Sequence, residues 1–477
     1  MSLLIKGGEV LDGSGAAPKK SDVLVVGGRI AAMGDLATYK ADKIVQAAGD
    51  YVLPGFVDVS SVSDSRLSLF EEPRQADYLK QGVTTVVCGT NGKSLAPAMY
   101  AGEISSSNAG WQTMGEYLGA MESLRLGVNF ATFSGYESLR RSITYKSRNL
   151  GSKEISVLSH VFGSHLEDGS AGISLGDSGF SEFDASKEEI EMLIGILAGA
   201  NKAAFVSFKA EDKPYASFAE AGAATIVGRL NESVKNVQAF EKLVSSVEKK
   251  ALKAEFAFAF NPYPYFEFKA SEALPASAGK PSSIIEALGK KRIFGFFSKK
   301  VKEFNPEETF IWDTPKKEAR FLLGKTVAEF AENRGVDAEE AFARIIGMCG
   351  PEAVFLSRMQ DSSIVDAIAS HPKSIIAGSV WSPMSGISHI HSELSDPFTE
   401  FIRVADRIGL RPELVAKKLS GAARLLGFKK RGLVKEGFAA DLVVLKNKRP
   451  EITLVNGEVA YESGSVSDSR SGEVISG

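Results

Sequence analysis

The sequence predicts an α/β chain: a (β/α)8 TIM-like barrel with a small β-sandwich domain built from both chain ends. Three observations predict it. The middle of the chain alternates short apolar strands with helical runs, both termini are β-rich, and 477 residues exceed what one simple core holds. The expected boundaries are residues 1–52 together with 429–464 for the β domain, 53–428 for the barrel, and 465–477 for a flexible tail.

The β domain rests on local signals. Residues 2–7, 22–26 and 29–33 are strand-like, and Gly27-Gly28 forms a tight turn between the last two. Residues 441–445 and 452–455 repeat that style. Asn456-Gly457 then joins 452–455 to 458–461 as a type I′ hairpin signal.

The barrel elements follow in order. Gly82-Val-Thr-Thr-Val-Val-Cys88 is a compact apolar strand closed by Gly89, and residues 171–175 form another. Ser186-x-x-Glu189 is a capping box before the helical run 190–199, with a strand near 204–208 after it. Residues 256–260, ending at Asn261-Pro-Tyr-Pro-Tyr265, and 374–377, ending at Gly378-Ser379, are further strands. Residues 325–346 hold two helices split at Gly335, and 412–426 carry the last barrel helix. The strand near 224–227 is faint. Gly324-Lys325-Thr326 looks like part of a phosphate loop, but Ala319 stands where the leading Gly belongs, so an ordinary helix start is expected.

Composition excludes several classes. With 44% hydrophobic and 24% charged residues the chain is ordinary globular protein. A net charge of −3, from 56 basic and 59 acidic residues, leaves no basic field for nucleic acid. Cys88 and Cys349 cannot build a disulfide framework and suit a reducing compartment. Met1-Ser-Leu-Leu-Ile-Lys-Gly-Gly turns polar too soon for a signal peptide, and no apolar run reaches membrane-spanning length. A soluble cytoplasmic protein with no membrane partner is the expectation. There are five His in all, so their positions decide whether a metal site is available.

Leu53-Pro-Gly-Phe-Val-Asp-Val59 is similar to the segment that carries amidohydrolases from their N-terminal β domain into barrel strand one. Arg431-Gly-Leu-Val-Lys-Glu-Gly-Phe-Ala-Ala-Asp441 resembles the matching return segment, and Val455-Asn-Gly457 its closing hairpin. Internal segments narrow the resemblance to the N-acyl-D-amino-acid deacylase, or D-aminoacylase-like, branch. These are Gly82-Val-Thr-Thr-Val-Val87 with Ser94-Leu-Ala-Pro97, the trio Gly135, Leu139 and Arg140, and Gly169-Ser-Ala-Gly-Ile-Ser174. Tyr263-Pro-Tyr265, His371-Pro372 leading to Gly378-Ser379, and Ser420-Gly-Ala-Ala423 complete the set. The likeness covers nearly the whole chain and is weakest near residues 281–309. The count of eight barrel strands rests on it.

The resemblance implies zinc-assisted attack of water on a non-peptide amide C–N bond, with an Asp after the last strand as general base. The residues that should do this are missing. The His-x-His positions after strand one are Ser60 and Val62; the metal-binding Cys position after strand two is Asn91. The Thr-His segment near strand four falls on Ser207-Phe208, and Ile226-Val-Gly-Arg229 stands where a Ser-His-x-Lys segment belongs. The Asp before Tyr-Pro-Tyr is Asn261, and the general-base position is Val380. Val cannot move a proton. The Arg that would grip a substrate carboxylate is replaced within His391-Ser392-Glu393, and the His beside Arg140 is Tyr136.

Other polar residues offer partial substitutes. His160 and His165 lie in a helical stretch and read as surface or satisfied helix positions, and His371 precedes its strand. His389 and His391 follow the last strand and are the one pair with ligand potential, against a solvated-loop reading. Cys88 reads as a small buried hydrophobe rather than a thiolate ligand. Asp58 has a structural reading, whereas Asp64 is a candidate for the barrel mouth; Glu211 and Asp212 read as a solvated acidic turn before ligands. Candidate pocket lining is therefore Asp64, Arg140, Glu211, Asn261, Tyr263, Tyr265, Ser379, Trp381, His389 and His391.

Two main functions follow. The favoured one is a degenerate, metal-free homologue without cofactor that binds a small-molecule ligand or serves as a scaffold, as a homo-oligomer or with a paralogue. The other is an active amidohydrolase with an oxygen-rich metal site, which would hold zinc weakly.

Overall fold

A computed structural model describes residues 2–65, 67–97, 110–144, 148–176, 186–207, 217–218, 220–228, 230–251, 254–270, 304–359, 361–378 and 396–477. The first strands are β1 (Ser2–Val10), β2 (Lys19–Val26), β3 (Arg29–Gly34), β4 (Lys43–Gln46) and β5 (Tyr51–Pro54). β1, β2 and β3 form an antiparallel meander, and Gly27-Gly28 turns the second hairpin with φ of 56° and 77°. Two successive positive φ values are what a type I′ turn demands. Alternate residues Leu3, Ile5, Val23 and Val25 face one buried cluster, the period of a half-buried strand.

Nine strand segments then make the barrel wall. They are β6 (Phe56–Asp58), β7 (Val83–Cys88), β8 (Asn129–Thr132), β9 (Ser134–Gly135), β10 (Gly172–Gly176), β11 (Ala203–Ser207), β12 (Ala224–Val227), β13 (Phe256–Phe260) and, after an insertion, β17 (Ser374–Ile376). β8 and β9 are halves of one run interrupted at Phe133, so the described residues hold eight such strands. Every neighbouring pair is parallel, in the ladders β6-β7-β8 and β9-β10-β11-β12-β13-β17. Small residues (Ala131, Ala171, Ala203, Ala257, Ala259) share the interior with Phe133 and Phe205, so it is packed rather than open. The faint strand at Ala224–Val227 is present, paired with both neighbours.

The insertion, Tyr263–Ser362, is part of a second compact unit. It contains β14 (Tyr265–Lys269), β15 (Thr309–Asp313) and β16 (Val354–Arg358), antiparallel in the order β14-β16-β15. The two helices expected here are Val327–Arg334 and Ala338–Cys349, divided by Gly335 at φ 61°. Thr326 caps the first in a full capping box with Glu329, so Gly324-Lys325-Thr326 is a helix start. Phe268, Phe342 and Phe355 stack in its core. This unit interrupts the span 53–428 that was expected to be barrel throughout; its aromatic residues close a core of their own.

The chain returns through β18 (Leu442–Lys446), β19 (Arg449–Val455), β20 (Glu458–Glu462) and β21 (Ser465–Val466). β18 pairs antiparallel with β5, which joins both chain ends in one nine-stranded sheet. Asn456-Gly457, with φ of 46° and 82°, makes the expected hairpin turn. The last residues do not fray as expected. Phe130 donates to Glu473 O (2.9 Å) and accepts from Ile475 N (2.7 Å), and Ile475 is buried among the barrel alanines. That buried side chain and bonds such as Gly472 N to Leu126 O (2.9 Å) and Glu473 N to Asn129 Oδ1 (3.0 Å) anchor the segment.

Asp441 ties these parts together. Its carboxylate accepts from Asn456 N (2.8 Å) and from Asn129 Nδ2 of β8 (3.1 Å), and it pairs with Arg431. Removing one partner of a buried pair leaves the other charge uncompensated. Asp441→Ala should therefore lower stability by about 3 kcal/mol in chemical denaturation. An unchanged midpoint would refute this role for the network.

Candidate active site at the barrel mouth

Catalysis on a parallel barrel is staged at the C-terminal ends of its strands. Asp58 ends β6 and is fully buried; its Oδ1 accepts from Ser60 N (3.0 Å) and from Gly378 N (2.8 Å), beyond the end of β17. That second bond joins the last strand to the first. Ser60, Ser61, Ser63 and Asp64 follow, all buried, with Val62 half-buried among them. Ser61 Oγ bonds Tyr78 Oη at 2.8 Å and Ser63 Oγ at 3.1 Å.

Asp64 faces the end of β7. Its Oδ1 accepts from Ser65 N (2.6 Å) and its Oδ2 from Gly89 N (3.0 Å). Burial pushes its carboxyl up to about 6, against those two backbone bonds and the Cys88 thiol, which favour the anion. Cys88 is fully buried, and burial, with Asp64 beside it, pushes its thiol up. A raised thiol is a poor thiolate ligand. Gly89 is required here: φ is 69°, and a Cβ would lie 2.2 Å from Phe133 O.

Amide and hydroxyl groups occupy the next strand ends. Asn91, with φ of 57°, accepts from Ser207 Oγ at 2.9 Å, bridging β7 and β11. Ser174 Oγ donates to Gly89 O and accepts from Gly92 N, fixing the loop after β7 to β10. Asn261 Nδ2 donates to Gly378 O (3.0 Å), while its backbone N donates to Asn231 Oδ1 (3.0 Å). Neutral groups thus brace neighbouring strand ends against one another.

Several expected residues stand elsewhere. Arg140 is fully buried, paired with Glu189 at 2.7 Å, with Tyr136 Oη donating to the same carboxylate at 2.6 Å. A guanidinium out of water needs such a partner, which overrode its position in the motif. Tyr263 is buried and Tyr265 half-buried in the second unit, where Tyr265 packs edge-on to Phe310. His165 is a core histidine, its Nδ1 3.1 Å from Ser134 Oγ and its pKa pushed down to about 4 by burial. His160 is exposed. Phe208, Glu211, Asp212, Ser379, Val380, Trp381, His389 and His391 lie outside the described residues.

Sequence reasoning missed Glu189. Its place in the Ser186 capping box concealed it: Ser186 Oγ does accept from Glu189 N, but the Glu189 side chain turns to Arg140 instead of closing the box. It also missed Lys418, a buried lysine on a helix that otherwise reads as amphipathic.

Zinc needs imidazole, thiolate or free carboxylate groups converging at one point. Val62 has no donor, the Asn91 amide oxygen is taken by Ser207, and the Asp58 and Asp64 carboxylates accept from backbone N–H groups. Among the described residues no three His, Cys, Asp or Glu side chains gather to hold a cation.

No family model matches the chain. It is 27% identical over 465 residues to the N-acyl-D-glutamate deacylase of Alcaligenes xylosoxydans xylosoxydans, covering 93% of this chain and 87% of that protein. A crystal structure of N-acyl-D-glutamate deacylase from Bordetella bronchiseptica, complexed with zinc and a phosphonate inhibitor, superposes with a TM-score of 0.78 at 23% identity, over 100% of this chain and 99% of that one. The crystal structure of D-aminoacylase gives 0.76 at 23% identity, over 99% of each chain. The fold is therefore the amidohydrolase (β/α)8 barrel with its β-sandwich domain. Within that class the chain resembles the N-acyl-D-amino-acid deacylases, the D-aminoacylase-like branch. No described helix is long and apolar enough to cross a membrane.

The Asp64 shift fixes a sign. Its folded pKa lies above the unfolded value of 3.8, so between about 4 and 6 the folded state holds the extra proton. Stability from this group is present below pH 4 and lost as pH rises through about 6, on the order of 3 kcal/mol. Thermal unfolding across that window should show the fall in the native protein and not in Asp64→Asn. Parallel curves would refute the assignment.

Proposed function

We propose that this chain is a non-hydrolytic member of the deacylase-like group, metal-free and without a cofactor, whose barrel serves as a ligand-binding or scaffold element in the cytoplasm. One observation carries the reading. Ser60, Val62 and Asn91 stand at expected ligand positions, and of the nearby carboxylates Asp58 Oδ1 and both oxygens of Asp64 accept from backbone N–H groups. Phe208 and Val380 extend the pattern in sequence, removing a further ligand and the general base. A lost ligand weakens a zinc site, whereas loss of the general base removes the group that takes up and returns the proton. Its partner is a small molecule, a second copy or a paralogue.

A second reading has one observation in its favour: the relatives over most of the chain are deacylases by name. On that reading Asp64, Asn91, Glu211, His389 and His391 would form an unusual centre. One experiment separates the two. Protein purified without chelator is assayed for metal and for turnover of a panel of N-acyl-D-amino acids. The expected result is far less than one zinc per chain and no turnover above background with or without added zinc. Turnover abolished by chelation and restored by zinc would overturn the proposal.

A further inference from the structure

The last barrel strand is held at its lower end by a lysine that no part of the deacylase resemblance uses. Lys418 sits on the helix Pro412–Ser420, 4% exposed. Its Nζ donates to Ser374 Oγ at 2.7 Å and to His371 O, both in the turn that opens β17. Ser374 Oγ in turn donates to His371 O at 3.0 Å. The acceptors are a carbonyl and a hydroxyl, and among the described residues no carboxylate forms an ion pair with this amine. A buried ammonium without a counter-charge is costly, whereas a neutral amine can make the same two bonds.

The surroundings add to that cost. Lys417 on the same helix opposes a second positive charge. The turn contributes His371 and Lys373; Lys373 Nζ lies 3.5 Å from the Phe256 ring centroid, and the His371 ring packs on Phe240 and Phe258. The helix Val237–Lys250 contributes Glu248, 3.9 Å from His371 Nε2 and directed at that ring. On the helix Ser363–Ser370, Asp366 is engaged with Arg407. Burial, then Lys417, pushes the Lys418 amine down to about 7.

We propose that Lys418, His371 and Ser374 form a proton-linked latch under the last barrel strand, seated when the amine is neutral and loosened when it is protonated. The strand is short enough to transmit the change. Ser374 opens β17, Ala377 N donates to Phe260 O, and Gly378 N is the group held by Asp58 at the mouth. The direction follows from the depressed pKa. The unfolded chain carries more protons than the folded one above pH 7, so stability from this group rises as pH rises through and beyond 7, and is lost as pH falls through it.

The test compares native protein with Lys418→Met, which keeps the stem and removes the proton. Hydrogen exchange of peptides covering residues 369–378, corrected for intrinsic rate, is measured at about pH 6 and about pH 8.5. Exchange in the native protein should be several-fold faster at the lower pH, and equal at both in Lys418→Met. The same pH ratio in both proteins overturns the latch. Should the variant not fold, native protein labelled with 13Cε-lysine serves instead. A lysine resonance titrating near 7 supports the proposal, and lysines all titrating near 10 overturn it.

Discussion

A parallel barrel closes only if its last strand finds its first, and among the described residues the Asp58 carboxylate bonds the end of one to the end of the other. Asp58 Oδ1 accepts from Ser60 N, two residues on, and from Gly378 N, 320 residues away in sequence. Burial removes the water that would compete for both bonds. The same use fixes the chemistry of the first strand end. A carboxylate oxygen that orders two backbone segments is poorly placed to bind a cation as well.

The rest of the mouth follows the same logic. A metal centre gathers groups that would repel or stay unsatisfied without the cation, and the cation compensates them. At this mouth the described groups compensate each other directly. Asn91 accepts from Ser207, Ser174 joins Gly89 to Gly92, and Asn261 spans Asn231 and the Gly378 carbonyl. Strand ends that a cation would otherwise hold together are held by neutral hydrogen bonds. That is an arrangement expected of a barrel maintained for its shape, and it is the physical ground for the proposed loss of hydrolysis.

Much of the scaffold was legible because its signals are local. Gly27-Gly28, Asn456-Gly457 and Gly335 lie at positive φ where turn chemistry predicts them, and the apolar strand ending in Cys88 is β7. What was not legible depends on distant partners. Arg140 and Glu189 are 49 residues apart, and nothing in either neighbourhood announces the other. The final segment reads as polar and frayed until Phe130 and the barrel alanines are in place to receive Ile475. The helices after Asn261 read as part of the barrel span because their periodicity does not reveal which core they fill.

The strand β17 shows why the two ends of the barrel cannot be considered separately. It has three residues, too few for its ladder with β13 alone to fix it firmly. Additional restraint comes from outside the ladder: Asp58 at the upper end and Lys418 at the lower, both buried and both acting on the backbone or the turn. In the deacylase resemblance this strand delivers the general base, a role that requires positioning more than length. Here the position following Ser379 is Val380, yet the strand beneath it remains secured at both ends. A restraint at each end fixes the direction of a short strand more firmly than its ladder with one neighbour can.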